Sequence, residues 1–153
     1  MDRTKKSGYR VIDREEYYRR GVYRHFTEDC KCSFSITARV DVTALAKASK
    51  EAGEKFYINF LYVLSRTLNS RPDYRMAYLR QTDELICWDV IHPTQYVFHE
   101  DTETCTVVYS EYREDHAWFY EHALKDLEQA KETREYGLDA ASHPNWFDAS
   151  YIS

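Results

Sequence analysis

From Cys32 to Val42 an apolar residue stands at every second position: Cys32, Phe34, Ile36, Ala38, Val40 and Val42, with Ser33, Ser35, Thr37, Arg39 and Asp41 between them. Successive side chains of an extended chain point to opposite faces, so this alternation predicts a long strand with one buried face. Such a strand needs neighbours, and the flanking segments read as both strands and helices. Tyr9–Ile12 is a short strand. Asp13, with Glu16 three residues on, has the form of a capping box and predicts a helix to about Thr27. Gly21 weakens that helix by roughly 1 kcal/mol relative to alanine. Asp41 or Thr43 can cap a short helix through Leu45, Ala46 and Ala48, and Gly53 is placed to end it.

The later chain alternates in the same way. Phe56–Ser70 carries Phe56, Phe60, Leu61, Val63, Leu64 and Leu68 at three- and four-residue spacings, a helix with a wide apolar stripe that Pro72 closes. Met76 and Tyr78 pair with Leu85 and Cys87 around Gln81-Thr82-Asp83 as a hairpin with one buried face. His92-Pro93 is expected to break the chain, because proline fixes φ and has no N–H to donate. Gln95–Phe98 and then Thr104–Tyr112 are extended. Asp115–Tyr136 is a helix with Phe119, Leu124 and Leu127 facing the core, a charged, exposed second half, and Gly137 at its end. Ser142–Asn145 is a loop, and Asp148–Ser153 begins a strand. Helices and strands in this order make an α+β fold, a mixed sheet packed with helices. Repeats, low-complexity tracts and linkers are absent, so residues 1–153 read as a single domain.

Composition narrows the function classes. A formal charge of −5, with no basic run and no Gly-rich phosphate loop, argues against nucleic acid as a partner. Apolar stretches are too short to span a bilayer, and the N-terminal residues lack a signal core, so the expected location is cytoplasmic, with no membrane partner. Cys30-x-Cys32 has the wrong spacing for a zinc site. The four cysteines, with Cys87 and Cys105, are expected to be reduced and packed as small hydrophobes, with no metal bound. Tyrosine is abundant, at 14 residues, which suits a core or a pocket for flat apolar ligands.

One order of residues goes further. Arg75-Met76-Ala77, Asp83-Glu84-Leu85-Ile86, Trp88-Asp89, His92-Pro93, Val97-Phe98-His99-Glu100 and Thr102-Glu103-Thr104 follow one another as in the chloramphenicol O-acetyltransferases, which this stretch closely resembles. The likeness extends to Arg19-Arg20, Cys32-Ser33-Phe34-Ser35, Asp41-Val42-Thr43, Lys55-Phe56-Tyr57 and Tyr151-Ile152-Ser153. The resemblance implies the CoA-dependent acyltransferase fold and transfer of acetyl from acetyl-CoA, a co-substrate rather than a permanently bound cofactor, to a hydroxyl of chloramphenicol. It further implies a homotrimer and a role in antibiotic resistance. The family's H-H-x-x-x-D-G motif is not in this sequence: no two of His25, His92, His99, His116, His122 and His143 are adjacent. The chain is therefore expected to be an incomplete, C-terminally truncated version of the fold and to be catalytically silent or nearly so. The competing expectation is a non-catalytic remnant that binds small molecules or forms a subunit interface.

The resemblance also assigns residues. Phe26, Cys32, Phe34, Thr94, Tyr96 and Cys105 would line the acceptor pocket, an apolar wall with a few hydroxyls. Cys105 stands where phenylalanine is common and Tyr96 where threonine is common, which would enlarge the pocket in one place and narrow it in another. Tyr57 would lie near the CoA adenine. Ser153 would donate to the developing oxyanion, although as the last residue here it reads as a solvated serine. Arg19 would pair with the aspartate of the absent motif, and without it reads as a solvated helix cation. The base is a neutral imidazole in the family, and no residue here takes that role. His99, despite its His-Glu-Asp context, reads as a histidine at a strand end holding a structural hydrogen bond.

Overall fold

The computed structural model describes residues 5–6, 8–30, 32–33, 35–138 and 150–152. Its order is β1 (Lys5–Lys6), β2 (Tyr9–Val11), α1 (Arg20–Arg24) running into a π-type turn at His25–Asp29, α2 (Thr43–Ala52), α3 (Phe56–Asn69), a 3-10 turn (Pro72–Arg75), β3 (Met76–Leu79), β4 (Glu84–Trp88), β5 (His92–His99), β6 (Thr104–Tyr109), α4 (His116–Glu132), β7 (Gly137–Leu138) and β8 (Ser150–Ile152). The strands form two four-stranded sheets, in the orders β1-β2-β4-β3 and β7-β6-β5-β8. The first is antiparallel throughout. The second is mixed: β5 and β6 are antiparallel, while β8 and β7 flank them in parallel. The expected α+β class holds.

Two helices supply the layer between the sheets and the core. Ile58 and Leu61 of α3 pack on Tyr112 and on Phe119 and Ala123 of α4, all nearly inaccessible. Further along α3, Leu68 joins Ile86, Trp88 and Ile91 of the first sheet, with Tyr9, Val11, Ala77 and Leu79 around them. The far half of α4 puts Leu127 and Ala130 on Val97 and Val108 of the second sheet. Asp115 caps α4 by accepting the Trp118 N–H at 3.0 Å. Asp41 takes the Thr43 N–H at 2.9 Å at the head of α2, and the Thr43 hydroxyl first and this N–H second hold its carboxyl below the ordinary carboxylate range. Gly53 ends α2 with φ 69°, a left-handed value at which a side chain would be strained.

Several expectations are corrected. Residues 35–42 form no strand, and Ile36 and Val40 are 79% and 69% exposed. The alternation offers one face, but a strand also needs a ladder partner, and this run has none among the described residues. Asp13 caps only a turn, taking the Glu15 N–H at 2.8 Å, and the helix starts later, at Arg20. The stripe of α3 is rotated: Ile58, Asn59, Leu61 and Ser65 are buried, while Phe56 and Val63 are exposed. The 76–87 hairpin forms in the expected pairing, Met76 opposite Cys87 and Tyr78 opposite Leu85. Its β4 strand is buried on both faces, because β2 covers its other edge and the core includes Ile86 and Trp88. Pro93 does not break the chain but lies within β5, its carbonyl accepting the Ser110 N–H at 3.0 Å. Gly137 is not a helix cap but the first residue of β7, since α4 stops at Glu132. Cys30 and Cys32 are exposed, so only Cys87 packs as a buried small hydrophobe, with Cys105 partly so. The 142–145 loop lies outside the described residues.

Asn69 joins the parts. Its amide donates to the Ile91 carbonyl at 2.8 Å and its side-chain oxygen accepts the Ile91 N–H at 2.9 Å, while the amide also reaches the Ser65 carbonyl at 2.9 Å. Ile91 is the 5% exposed residue between β4 and β5, where the chain leaves one sheet for the other. Replacing Asn69 with alanine strands both Ile91 backbone groups away from water, at about 2–4 kcal/mol. Urea unfolding of Asn69→Ala should show that loss, whereas Ser70→Ala, one position on and exposed, should stay within about 0.5 kcal/mol. Equal effects would mean that Asn69 does not hold the crossover.

Candidate functional site

The register of β5 on β6 decides which side chains share a face. Thr94 lies opposite Tyr109, Tyr96 opposite Val107, and Phe98 opposite Cys105. These six therefore project from one side of the second sheet. Gln95, Val97 and His99 project from the other, toward α4. Thr94, Tyr96 and Cys105, three of the six expected pocket residues, are thus brought to a common face. Thr94 is buried, Cys105 half-buried, and Tyr96 and Phe98 are exposed at 39% and 64%.

Sequence reasoning missed Tyr136, which borders this face. Its carbonyl accepts the Val107 N–H at 2.7 Å, and its phenol neighbours that of Tyr96. Burial first, and the neighbouring Tyr136 second, raise the Tyr96 hydroxyl above the ordinary tyrosine range. A residue just past a helix and just before a two-residue strand carries no periodic signal, so only the parallel pairing of β7 on β6 reveals its place.

Partners on the opposite side hold the face rigid. The Gln95 amide donates to Ser110 Oγ at 2.7 Å and to the Ala123 carbonyl at 3.2 Å. Thr106 Oγ1 donates to the Thr133 carbonyl at 3.3 Å, and His99 Nε2 lies 2.9 Å from the same hydroxyl. A hydroxyl has one proton, so the Nε2–H of His99 donates to Thr106. His99 is 5% exposed and plays the structural part expected of it. At the head of β5, His92 Nδ1 accepts the Tyr112 N–H at 2.9 Å, and its ring packs on Tyr109 at 5.0 Å.

The remaining expected residues lie apart. Phe26 sits in the π-type turn, half exposed, with its ring edge-on to His25 at 5.0 Å. Cys32 is on the surface. Phe34 and Ser153 lie outside the described residues. Tyr57 is in the first turn of α3, 37% exposed. The α3 start is pinned to α4: the Lys55 N–H donates to the Tyr120 hydroxyl at 2.8 Å and Lys55 Nζ to Glu128 at 2.5 Å. Arg19 precedes α1, lies over the Tyr18 ring and pairs at 3.9 Å with Asp73, so it is not merely solvated.

Comparison with known proteins agrees with this architecture. The sequence profile of the family described as chloramphenicol acetyltransferase matches residues 7–153. A chloramphenicol acetyltransferase of Klebsiella sp is 34% identical over 143 residues, which are 94% of this chain and 62% of that protein. One from Proteus mirabilis is 35% identical over 144 residues, 94% of this chain and 63% of the relative. The chain thus spans about three fifths of the length of these curated relatives. A solved chloramphenicol acetyltransferase structure superposes with a TM-score of 0.80 at 20% identity, covering 94% of this chain and 67% of that one, and shows the same fold.

The face carries a pH signature. Burial, and then the charge of Glu111, push the Tyr109 phenol well above the ordinary tyrosine range. A proton held more tightly in the folded state gives stability that is complete below about pH 10, the unfolded value, and is lost as pH rises through the folded value. The midpoint of thermal unfolding should therefore fall above about pH 10, and Tyr109→Phe should fall less steeply over that window. Superimposable alkaline profiles would rule out a folded-state phenol at this position.

Proposed function

Because the chain belongs to the chloramphenicol acetyltransferase family, we propose that it carries the acceptor-side strands of an acetyl-CoA-dependent O-acetyltransferase whose acceptor is a hydroxyl of chloramphenicol. The observation that carries the reading is the common face of Thr94, Tyr96 and Cys105. An apolar floor of Val107 and Cys105 suits a flat ring, and the Thr94 and Tyr96 hydroxyls suit polar substituents. Phe26, Cys32 and Phe34 would complete the wall, and Tyr57 would meet the adenine of the CoA.

The reaction needs three further things. A neutral imidazole must take the proton of the acceptor hydroxyl as its oxygen attacks the thioester carbonyl. A donor must receive the negative charge on that carbonyl oxygen, the role proposed for Ser153. An arginine must hold the loop that presents the imidazole, the role proposed for Arg19. The adjacent histidine pair is missing from the sequence, and His99 and His92, which share β5 with Thr94 and Tyr96, are committed to the hydrogen bonds above. The 153-residue domain is therefore proposed to bind without turning over. Exposed Tyr96, Phe98 and Tyr136 form an aromatic border that favours contact with another subunit, in keeping with a homotrimer. A cytoplasmic location suits acetyl-CoA as co-substrate.

The test is release of the CoA thiol from acetyl-CoA with and without chloramphenicol, alongside chloramphenicol binding followed by intrinsic fluorescence. Binding without chloramphenicol-dependent thiol release is expected. Thr94→Val and Tyr96→Phe should each weaken binding by roughly tenfold, the worth of about one hydrogen bond. Turnover near that of a full-length family enzyme would refute the silent domain, and absence of binding would refute the pocket.

A further inference from the structure

The four cysteines divide sharply by environment. Cys87 is 3% exposed, its thiol directed at the Pro72 and Trp88 carbonyls at 3.6 Å. Cys105 is half-buried on the β5–β6 face. Cys30 and Cys32 are both exposed and separated by a single residue. Two peptide units span at most about 7 Å, so the Cα atoms of this pair stay within that distance in any backbone conformation. Cys30 itself has left the preceding turn with φ −131° and ψ 86°, held there by its N–H to the His25 carbonyl at 2.8 Å. Residues 32–33 and 35–42 carry no helix or strand that would fix the second thiol away from the first.

Separation and ligand number select what the pair can take. A direct disulfide requires Cα atoms no more than about 6.8 Å apart with a fixed dihedral, and across one residue it closes a small, strained ring. A bridging atom relaxes both requirements. Among the described residues no group of three His, Cys, Asp or Glu side chains is placed to hold a metal ion. Among the described residues the site therefore offers two sulfur ligands and no more. That excludes the closed four-coordinate sites that zinc prefers and suits a soft centre that needs only two thiolates.

We propose that Cys30 and Cys32 form a surface dithiol site for two-coordinate thiophiles, the class exemplified by singly substituted trivalent arsenicals. With phenylarsine oxide the step is a condensation. Two As–S bonds form, the As=O bond breaks, and the two thiol protons leave with the oxygen as water. Arsenic stays trivalent, and no oxidant or reductant is consumed. The second thiol binds from an effective concentration in the millimolar range, so the pair holds such a ligand far more tightly than either thiol alone.

The experiment uses the whole 153-residue chain under reducing-agent-free conditions. Phenylarsine oxide is titrated while intact mass and the number of thiols reacting with a chromogenic disulfide reagent are followed. One equivalent should protect two thiols, and peptide mapping should place arsenic across Cys30 and Cys32. Cys30→Ser and Cys32→Ser should each weaken binding about 100-fold or more. Cys105→Ser should leave it unchanged, and circular dichroism should match wild type in all three. Arsenic mapped to Cys87 or Cys105, or wild-type affinity in either Ser variant, would overturn the site. So would a chain that forms the Cys30–Cys32 disulfide in air and no longer takes up the arsenical. None of these readouts depends on acetyl transfer or chloramphenicol binding.

Discussion

The paired hydrogen bonds between the Asn69 side chain and the Ile91 backbone are the constraint on which the arrangement of the two sheets depends. A carboxamide presents a donor and an acceptor side by side, as a neighbouring strand would, and so satisfies an isolated residue at the point where no ladder exists. Because Asn69 ends α3, the crossover from β4 to β5 is fixed against the same helix that packs Leu68 on the first sheet and Ile58 and Leu61 on α4. A shift of that helix would move both sheets together. Polar groups concentrate where the helices meet: the Asn59 amide donates to Ser49 Oγ at 3.0 Å and to Glu54 at 2.8 Å, leaving its oxygen for the Nε2–H of His116 at 2.7 Å. These bonds fix the sliding of α2, α3 and α4 against one another, which apolar contact alone leaves loose.

From that frame the two sides of the β5–β6 pair take different work. The side against α4 is closed by Gln95, His99 and Thr106, all buried; Gln95 and Thr106 are hydrogen-bonded to the helix and its exit, and His99 to Thr106. With its backs anchored, the pair holds Thr94, Tyr96 and Cys105 in a fixed spacing on the opposite side, as the proposed binding surface requires. The Asp101–Arg134 ion pair, at 3.0 Å, ties the β5–β6 turn to the chain leaving α4. It is exposed and of modest worth by itself, but it keeps the turn close to the segment that delivers Tyr136.

Local signals were legible wherever a residue type acts through its own backbone. Gly53 ends α2 because it alone takes a left-handed φ without strain, Asp115 caps α4, and the Met76–Cys87 register follows from the alternation around the turn. At that turn Asp83 adopts φ 54°, which aspartate tolerates, and its carboxylate accepts the Tyr78 hydroxyl at 2.5 Å and the Arg14 guanidinium at 2.9 Å. The Arg14 contact spans 69 positions and could not be read from spacing. What stayed hidden was set by distant partners. The buried face of α3 is chosen by where α4 lies, not by the width of its apolar stripe. Gly137 serves a strand rather than a helix end because β6 has a free edge there. Of the candidate site, Thr94, Tyr96 and Cys105 were named by the family resemblance and the β5–β6 register puts them on one face, whereas Tyr136 reaches that face only through the β6–β7 pairing.

The 35–42 run shows why fold and site are coupled in this chain. Its alternation is complete, yet Ile36 and Val40 are in solvent. Burying two such side chains is worth about 1.5–3 kcal/mol each, enough to favour docking once a ladder partner satisfies the intervening backbone groups. Cys32 stands at the head of the same run, on the acceptor wall proposed above. Pairing of the run and closure of that wall would therefore be one event, because a strand fixes all its side chains together or none of them. The β5–β6 face needs no such event, since its ladder is already formed. The proposed pocket would thus have a permanent half and a conditional half, and the proposed acceptor would be held well only when both are in place.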